Sequence, residues 1–530
     1  MNQSSAAAFD YVVIGAGSAG CALAARLSED PSLRVCLVEA GGSGRSLLID
    51  TPVLLALTVP RAIHNWAFQT VPQPGLGGRR GYQPRGKALG GSSAINAMIY
   101  TRGHPRDYDD WAAAGNRGWA WSDLLPLFKL GEHNERGADE YHGTGGPLNV
   151  ADLRSPHPAS LAFVEAGVQA GHPRNRDFNG PNQEGVGLYQ VTQRNGRRWS
   201  AARAYLDPAA ARANLTVLSG AHALRLTFDG KACTGVETSR GILRAARETI
   251  VCAGAFGSPQ LLLLSGIGPR EELAPRGIAL RHELPGGGGN LQDHPDYVFG
   301  YQSDAPGLLG LTPRGVLNLA KGYAAFRREG SGLLSSNIAE AGGFMKSRAD
   351  LERPDLQLHF TIGLISDHGR DWTPRYGFSC HVCVLRPRSR GSVGLASADP
   401  RAAPRIDPAF LTHPEDAGDL VRGVKMTLEI LGQRALDACR GANVFGEPDK
   451  SDDELLALVR RRADTIYHPV GTCRMGTDEM AVVDAELRVR GIEQLRVADA
   501  SIMPTLIGGN TNAPAMMIGE KAADLIRARG

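Results

Sequence analysis

Short apolar runs, each closed by glycine, alanine or an acid, set the pattern of the chain. Tyr11-Val12-Val13-Ile14 runs into Gly15-Ala16-Gly17-Ser18-Ala19-Gly20 and then into helix-prone Cys21-Ala22-Leu23-Ala24-Ala25-Arg26-Leu27, which predicts strand, tight turn and helix. A second run, Arg34-Val35-Cys36-Leu37-Val38, ends in Glu39, at the offset of roughly 20 residues past the third glycine where a dinucleotide-binding unit places its ribose-bonding acid. Strands of the same kind are expected at Leu215–Leu218, Glu248–Cys252 and Leu495–Ala498. Pieces of one nucleotide unit at the start, middle and end of the chain imply a domain interrupted by insertions. The expected division is residues 1–152, 200–295 and 453–530 for a discontinuous Rossmann-like domain, with 153–199 and 296–452 as the inserted substrate domain. Alternation in Leu356-Gln357-Leu358-His359-Phe360 and Ser392-Val393-Gly394-Leu395 suits an antiparallel sheet with one wet face. The fold class is therefore α/β, α+β overall.

Other patterns exclude more than they reveal. The longest apolar runs, such as Val53–Leu57 and Leu261–Leu264, are far shorter than the ~20 residues of a spanning helix. Met1–Ala8 carries no Lys or Arg, so a signal peptide is not expected and the protein is read as cytoplasmic. The segment Pro306–Ser336 mixes Leu308, Leu309, Leu311, Val316, Leu317, Leu319, Tyr323 and Phe326 with Arg314, Lys321, Arg327 and Arg328. It is expected to be a surface helix packed on the sheet, with peripheral contact to the inner face of the cell membrane as the alternative.

Composition narrows the class. The chain has 530 residues, 42% hydrophobic and 21% charged, with a net charge of +3; the signs are interspersed, so nucleic acid is not an expected partner. Of eight cysteines, Cys380 and Cys383 have metal-like spacing, but they fall in a strand, where residues three apart face opposite sides. No metal is expected.

Three further segments carry candidate chemistry: Arg85-Gly86-Lys87-Ala88-Leu89-Gly90-Gly91-Ser92-Ser93-Ala94-Ile95-Asn96-Ala97-Met98, Gly254-Ala255-Phe256-Gly257-Ser258-Pro259-Gln260 continuing to Gly268, and Tyr467-His468-Pro469-Val470-Gly471-Thr472-Cys473-Arg474-Met475-Gly476. With the first turn they closely resemble the glucose–methanol–choline (GMC) oxidoreductases, from Asp10 to the C-terminus. Within that family Asn65–Thr70, Asp177–Gly180, Gly185–Gln193 and Ala463–Pro469 are most similar to bacterial flavin-dependent alkanol dehydrogenases, with choline dehydrogenases next.

The resemblance implies FAD, bound noncovalently. Gly15, Gly17 and Gly20, with Ser18, would line the pyrophosphate, and Glu39 and Ala40 the adenosine ribose. Gly90, Gly91, Ser92 and Ser93 offer a nest of donors, with Asn96 and Ala97 against the flavin ring. Ala223 would meet adenine, Ala253 and Gly254 fall at the next crossover, and Asp499 and Ala500 would meet ribityl and phosphate oxygens. The catalytic pair carried over is His468 with Asn510. Asn512, opening the last helix, is its rival and is given the flavin contact. His64 and His104 are read as solvated or structural, with flavin attachment as the alternative to noncovalent binding, and His294 is assigned no chemistry. The implied reaction removes a proton from a primary alcohol, aliphatic or benzylic, to a base near neutral pKa and a hydride to flavin, with electrons passed to a quinone or another acceptor. Choline oxidation, an oxygen-using oxidase and a hydroxynitrile lyase are the alternatives within the family.

Overall fold

The structure is a computed structural model that describes residues 8–310, 312–371 and 376–528. Met1–Ala7 and Leu311 lie outside the described residues, as does the side chain of Arg314. In chain order the principal elements begin with β1 (Ala8–Ile14), α1 (Ser18–Leu27), β2 (Val35–Glu39), α2 (Pro158–Gln169) and β3 (Gly185–Leu188). Next are β4 (Leu215–Ser219), β5 (Ala223–Asp229), β6 (Ala232–Thr238), β7 (Gly241–Val251), α3 (Gly254–Leu264), β8 (Pro295–Gln302) and α4 (Pro313–Glu329). The chain closes with β9 (Ala339–Met345), β10 (Leu356–Thr361), β11 (Gly377–Val384), α5 (Pro414–Leu431), α6 (Asp452–Arg462), β12 (Asp464–Thr465), β13 (Leu495–Val497) and α7 (Asn512–Arg527).

Two sheets organise these elements. The first runs β4-β2-β1-β7-β6-β5, with β13 also on β7. Strands β4, β2, β1, β7 and β13 pair in parallel, and β2 and β13 are buried along their whole length, as parallel strands covered on both faces are. Helices α1 and α7 cross tightly on it: a Cβ at Gly519 would lie 2.3 Å from the Ala19 carbonyl oxygen, and Arg26 grips Glu520 through Nε at 2.6 Å and Nη2 at 3.1 Å.

The second sheet, β12-β8-β11-β10-β9-β3, is antiparallel throughout. Its outer face packs on α2 and α5, where Leu356, Leu358 and Phe360 of β10 join Phe163 and Val424 in one apolar core. The opposite face, with Gln357, His359 and Thr361, is also buried, because it is turned toward the first sheet rather than toward bulk water. The period-2 alternation thus marks polar positions aimed at an interior site, and the expected wet face is corrected to a buried polar one. Cys380 and Cys383 of β11 lie on opposite faces, in separate apolar clusters.

One boundary differs from expectation. Helix α6 packs against α5 through Leu455, Leu458 and Val459 and belongs to the core of the antiparallel sheet, to which β12 is also paired. The 453–465 segment therefore goes with the inserted unit. An i, i+3, i+4 apolar stripe fits any sheet or helix face, so its partner was not readable from spacing.

Candidate active site

A single cavity of about 1240 Å³ runs between the two sheets, from the turn after β1 to His468 and Asn510. The glycines of the first turn divide the work. Gly15 has φ +104, and a Cβ there would lie 2.4 Å from the Cys252 carbonyl oxygen. A Cβ on Gly20 would lie 1.9 Å from the Gly15 carbonyl oxygen, whereas one on Gly17 meets nothing nearer than 3.9 Å. Gly15, Gly17 and Ser18 line the cavity and Gly20 does not; Gly20 lets α1 sit on the turn. Ser18 Oγ donates to Asn512 Oδ1 at 2.7 Å, so the first turns of α1 and α7 meet at the cavity and present two positive helix ends to it.

Glu39 lines the same end, with its carboxylate closed on backbone: Ala16 N donates at 3.1 Å and Gly41 N at 2.8 Å. Burial pushes its carboxyl up to about 7 against those two bonds. Ala40, Ala223, Ala253 and Gly254 continue the wall, as do Gly91, Ser92, Asn96 and Ala97. Gly90 and Ser93 lie behind it. Gly90 N donates to the Ala16 carbonyl, and Ser93 Oγ donates to the Gly90 carbonyl at 2.6 Å, so these two hold the loop's shape instead of lining the cavity. Asp499 and Ala500 reach the cavity. Asp499 Oδ2 accepts from Gly254 N at 2.8 Å and from Ser258 Oγ at 2.5 Å, which ties the start of α3 to the turn after β13.

At the other end, antiparallel pairing delivers the chemistry. Ladder bonds between β12 and β8, continued by Gln292 against Val470, bring the segment before β8 alongside the segment after β12. His294 Nδ1 consequently lies 3.0 Å from His468 Nδ1. Tyr467, just before His468, is held at φ +77, a conformation that costs a bulky residue energy and marks a position fixed by its surroundings. Arg85 donates to the Tyr467 carbonyl at 2.7 Å, and His468 N donates to Asp293 Oδ1 at 2.8 Å. Asn510 Nδ2 donates to His468 Nε2 at 3.1 Å and lies 3.5 Å from His359 Nε2. The Asn510 backbone N–H is anchored on Thr101 Oγ1 at 2.9 Å.

The structure therefore places His468 and Asn510 together, and Asn512 apart from them at the α1–α7 junction. Two further histidines share the site. His294 was assigned no chemistry and His359 was not singled out; in sequence each is one polar residue near or within a strand, and only the alternation of β10 hinted that His359 faces inward. Burial lowers the pKa of all three rings, that of His468 well below the ordinary histidine value and those of His294 and His359 to about 3; His294 and His359 lower His468 further, His381 and His294 lower His359, and Arg386 lowers His294. The expectation of a base near neutral pKa is corrected accordingly: three imidazoles and Arg85 share a buried space, which penalises any one of them for taking a charge.

Models of the GMC oxidoreductase N- and C-terminal regions match residues 9–296 and 387–519. The chain belongs to the GMC oxidoreductase family. This GMC oxidoreductase is 47% identical to an alcohol dehydrogenase [acceptor] of Pseudomonas putida over 535 positions, covering 98% of this chain and 95% of that protein. It is 45% identical to an oxygen-dependent choline dehydrogenase of Rhizobium etli over 528 positions, with the same coverages. Among solved structures it is similar to pyridoxine 4-oxidase from Mesorbium loti, with a TM-score of 0.88 and 33% identity over 98% of this chain and 99% of that one. GMC oxidoreductases bind FAD, and the cavity fits the group: it exceeds the ~300–1,000 Å³ of pockets for single small molecules. At the turn after β1, Gly17 leaves free the space that a side chain would fill.

Proposed function

We propose that this GMC oxidoreductase oxidises a primary alcohol with an apolar body, aliphatic of medium chain length or benzylic, to the aldehyde. The observation that carries the reading is the convergence of His468 Nε2 and Asn510 Nδ2, 3.1 Å apart, on one end of the cavity. FAD, held noncovalently by Gly15, Gly17, Ser18, Glu39, Gly91, Ser92, Asn96, Ala97 and Asn512, supplies the hydride acceptor at flavin N5 when bound. His468 takes the hydroxyl proton on Nε2, and Asn510 donates a hydrogen bond to the oxygen as it becomes an alkoxide. Burial keeps His468 neutral and its lone pair available, at the cost of a weaker base.

The substrate preference rests on an apolar part of the cavity wall. Val53, Leu54, Leu55, Leu309, Leu319, Ile338 and Ile365 line it, which suits an alkyl or aryl chain better than a sugar. A quaternary ammonium calls for an aromatic cage. The second reading, choline oxidation, is favoured by the identity to the Rhizobium etli choline dehydrogenase. Assays with a dye or quinone acceptor over ethanol, octanol, benzyl alcohol, choline and glucose separate the two. Octanol or benzyl alcohol should give the highest kcat/KM, and choline as the best substrate would overturn the proposal.

Acceptor and location are part of the same reading. Helix α4 buries Phe326 and exposes Val316, Leu317 and Tyr323 beside Lys321, Arg327 and Arg328, a combination that suits an anionic lipid surface where quinones and long-chain alcohols concentrate. Sedimentation with anionic but not zwitterionic vesicles is expected, and loss of that difference is not expected unless Leu317 or Tyr323 is replaced by glutamate. No helix among the described residues is long and apolar enough to cross a membrane.

A further inference from the structure

We propose that the tautomer of His468 is set through the antiparallel sheet by a one-way chain of hydrogen bonds, in which Tyr189, Gln357 and Asn510 keep Nε2 bare toward the cavity and His294 accepts the proton on Nδ1. The inference rests on the reading of His468 as the base and adds the residues that hold it in a competent form.

The direction follows atom by atom. Tyr189 Oη donates to the Leu358 carbonyl at 2.6 Å; a carbonyl only accepts, so the single phenolic proton is committed there. Gln357 lies 3.2 Å from the same Oη and must therefore turn its NH2 toward it. That NH2 also lies 3.0 Å from Asn510 Oδ1. Thr101 Oγ1 already accepts from the Asn510 backbone N–H at 2.9 Å and sends its own proton to Asn510 Oδ1 at 3.1 Å. Turning the Asn510 amide over would bring Nδ2 against the Gln357 NH2, which cannot accept, whereas the Thr101 hydroxyl can serve either orientation. Asn510 Nδ2 thus faces His468 Nε2 at 3.1 Å, and a ring nitrogen that accepts from an amide carries no proton. Neutral His468 then holds its proton on Nδ1, 3.0 Å from His294 Nδ1, which accepts it and keeps its own proton on Nε2.

Burial supports each link. Gln357 and His294 are fully buried and Tyr189 and Thr101 nearly so, which leaves no bulk water to replace a lost partner and makes a reversed amide costly. His294 stays neutral because burial and the Arg386 charge hold it far below the ordinary histidine range, so its Nδ1 lone pair remains free to accept. His294, Gln357 and Tyr189 are positioning residues: none is called on to touch the alcohol.

The test reads protons directly in the FAD-loaded enzyme. With 15N-labelled histidine, the His468 signals are identified by their loss in His468→Gln. The expected spectrum has Nδ1 protonated and Nε2 bare at neutral pH; a proton on Nε2 overturns the proposal, whatever the activity. Gln357→Met keeps the volume and removes one donor to Asn510. It should give a mixture of His468 tautomers and a kcat about tenfold lower, with KM and flavin content little changed. His294→Phe, which removes the acceptor, should act in the same sense. A merely structural role would lower flavin content or thermal stability and leave one tautomer, which also overturns the relay. If either variant fails to fold, the wild-type spectrum alone decides. Unimpaired turnover in His468→Gln would defeat the assignment of the base while leaving the tautomer measurement to stand or fall separately.

Discussion

The two ends of the cavity are built in opposite ways. At the proposed nucleotide end, backbone does most of the work: a turn of six consecutive residues, Gly15–Gly20, two helix starts and the loop at Gly91 and Ser92. At the proposed reacting end, side chains do it, and they come from distant segments: Thr101, His294, Gln357, His359, His468 and Asn510. A backbone device needs small residues in an unbroken order, and a side-chain device needs only that the fold converge. The first should therefore fail through shape and the second through chemistry.

The largest effects should separate two glycines of the same turn. Gly20→Val forces a Cβ into the Gly15 carbonyl and should yield little folded protein. A Cβ on Gly17 would meet no protein atom closer than 3.9 Å, so Gly17→Val should give a folded but colourless chain. Flavin absorbance per mole of protein together with a thermal melt distinguishes the two, and a fully yellow Gly17→Val would contradict the role given to this glycine. At the other end, His468→Ala should keep its flavin and lose ~10²–10⁴-fold in turnover, the usual worth of a positioned acid–base group; steady-state rates on protein of verified flavin content check this.

Smaller effects sharpen the electrostatic side of the contrast. Because burial and its neighbours hold His468 well below the ordinary histidine range, the kcat/KM profile for an alcohol should show no His468 ionisation between about pH 6 and 7. A clear inflection there that disappears in His468→Gln would show the ring to be solvated. Stability should record the same burial. A histidine whose folded pKa is depressed binds a proton in the unfolded chain first, so stability is lost as pH falls below about 6.5, by ~1.4 kcal/mol per pH unit for each such ring. His359, lowered to about 3, should contribute this down to that value. Urea unfolding of the FAD-loaded enzyme at pH 7 and pH 5 should therefore fall more steeply in the wild type than in His359→Phe.

The same contrast explains what could be read from the sequence. The run Tyr11–Glu39 announces its strand, turn, helix and acid because each is local, and β4, β7 and β13 followed from the same signature. His468 and Asn510 were reachable only through the family motif that carries them. Gln357 and His359 stood in plain alternation within β10, but period 2 says only that they leave the apolar core, not that a second sheet covers them. His294 was invisible as a site residue because its relation to His468 is a matter of strand register between β8 and β12. The 453–465 segment was assigned to the wrong unit for a similar reason, since an amphipathic helix does not name its partner.

The meeting of α1 and α7 bears on how the enzyme is made. Ser18 and Asn512 are 494 positions apart, and β13 reaches β7 only after the whole inserted unit has been synthesised. During translation the emerging nucleotide sheet has an open edge beside β7 and an uncovered α1, while the inserted antiparallel unit has all its strands before β13 emerges. Pairings of such long sequence separation are slow and leave apolar surface exposed in the meantime. The order of maturation then runs from the inserted unit to the closing of the parallel sheet by β13 and α7, and the cofactor is expected to be stably held only once these two elements have docked. A chain cut before Asn512 should leave the ribosome as a partly folded body that cannot retain flavin and depends on chaperones to stay in solution.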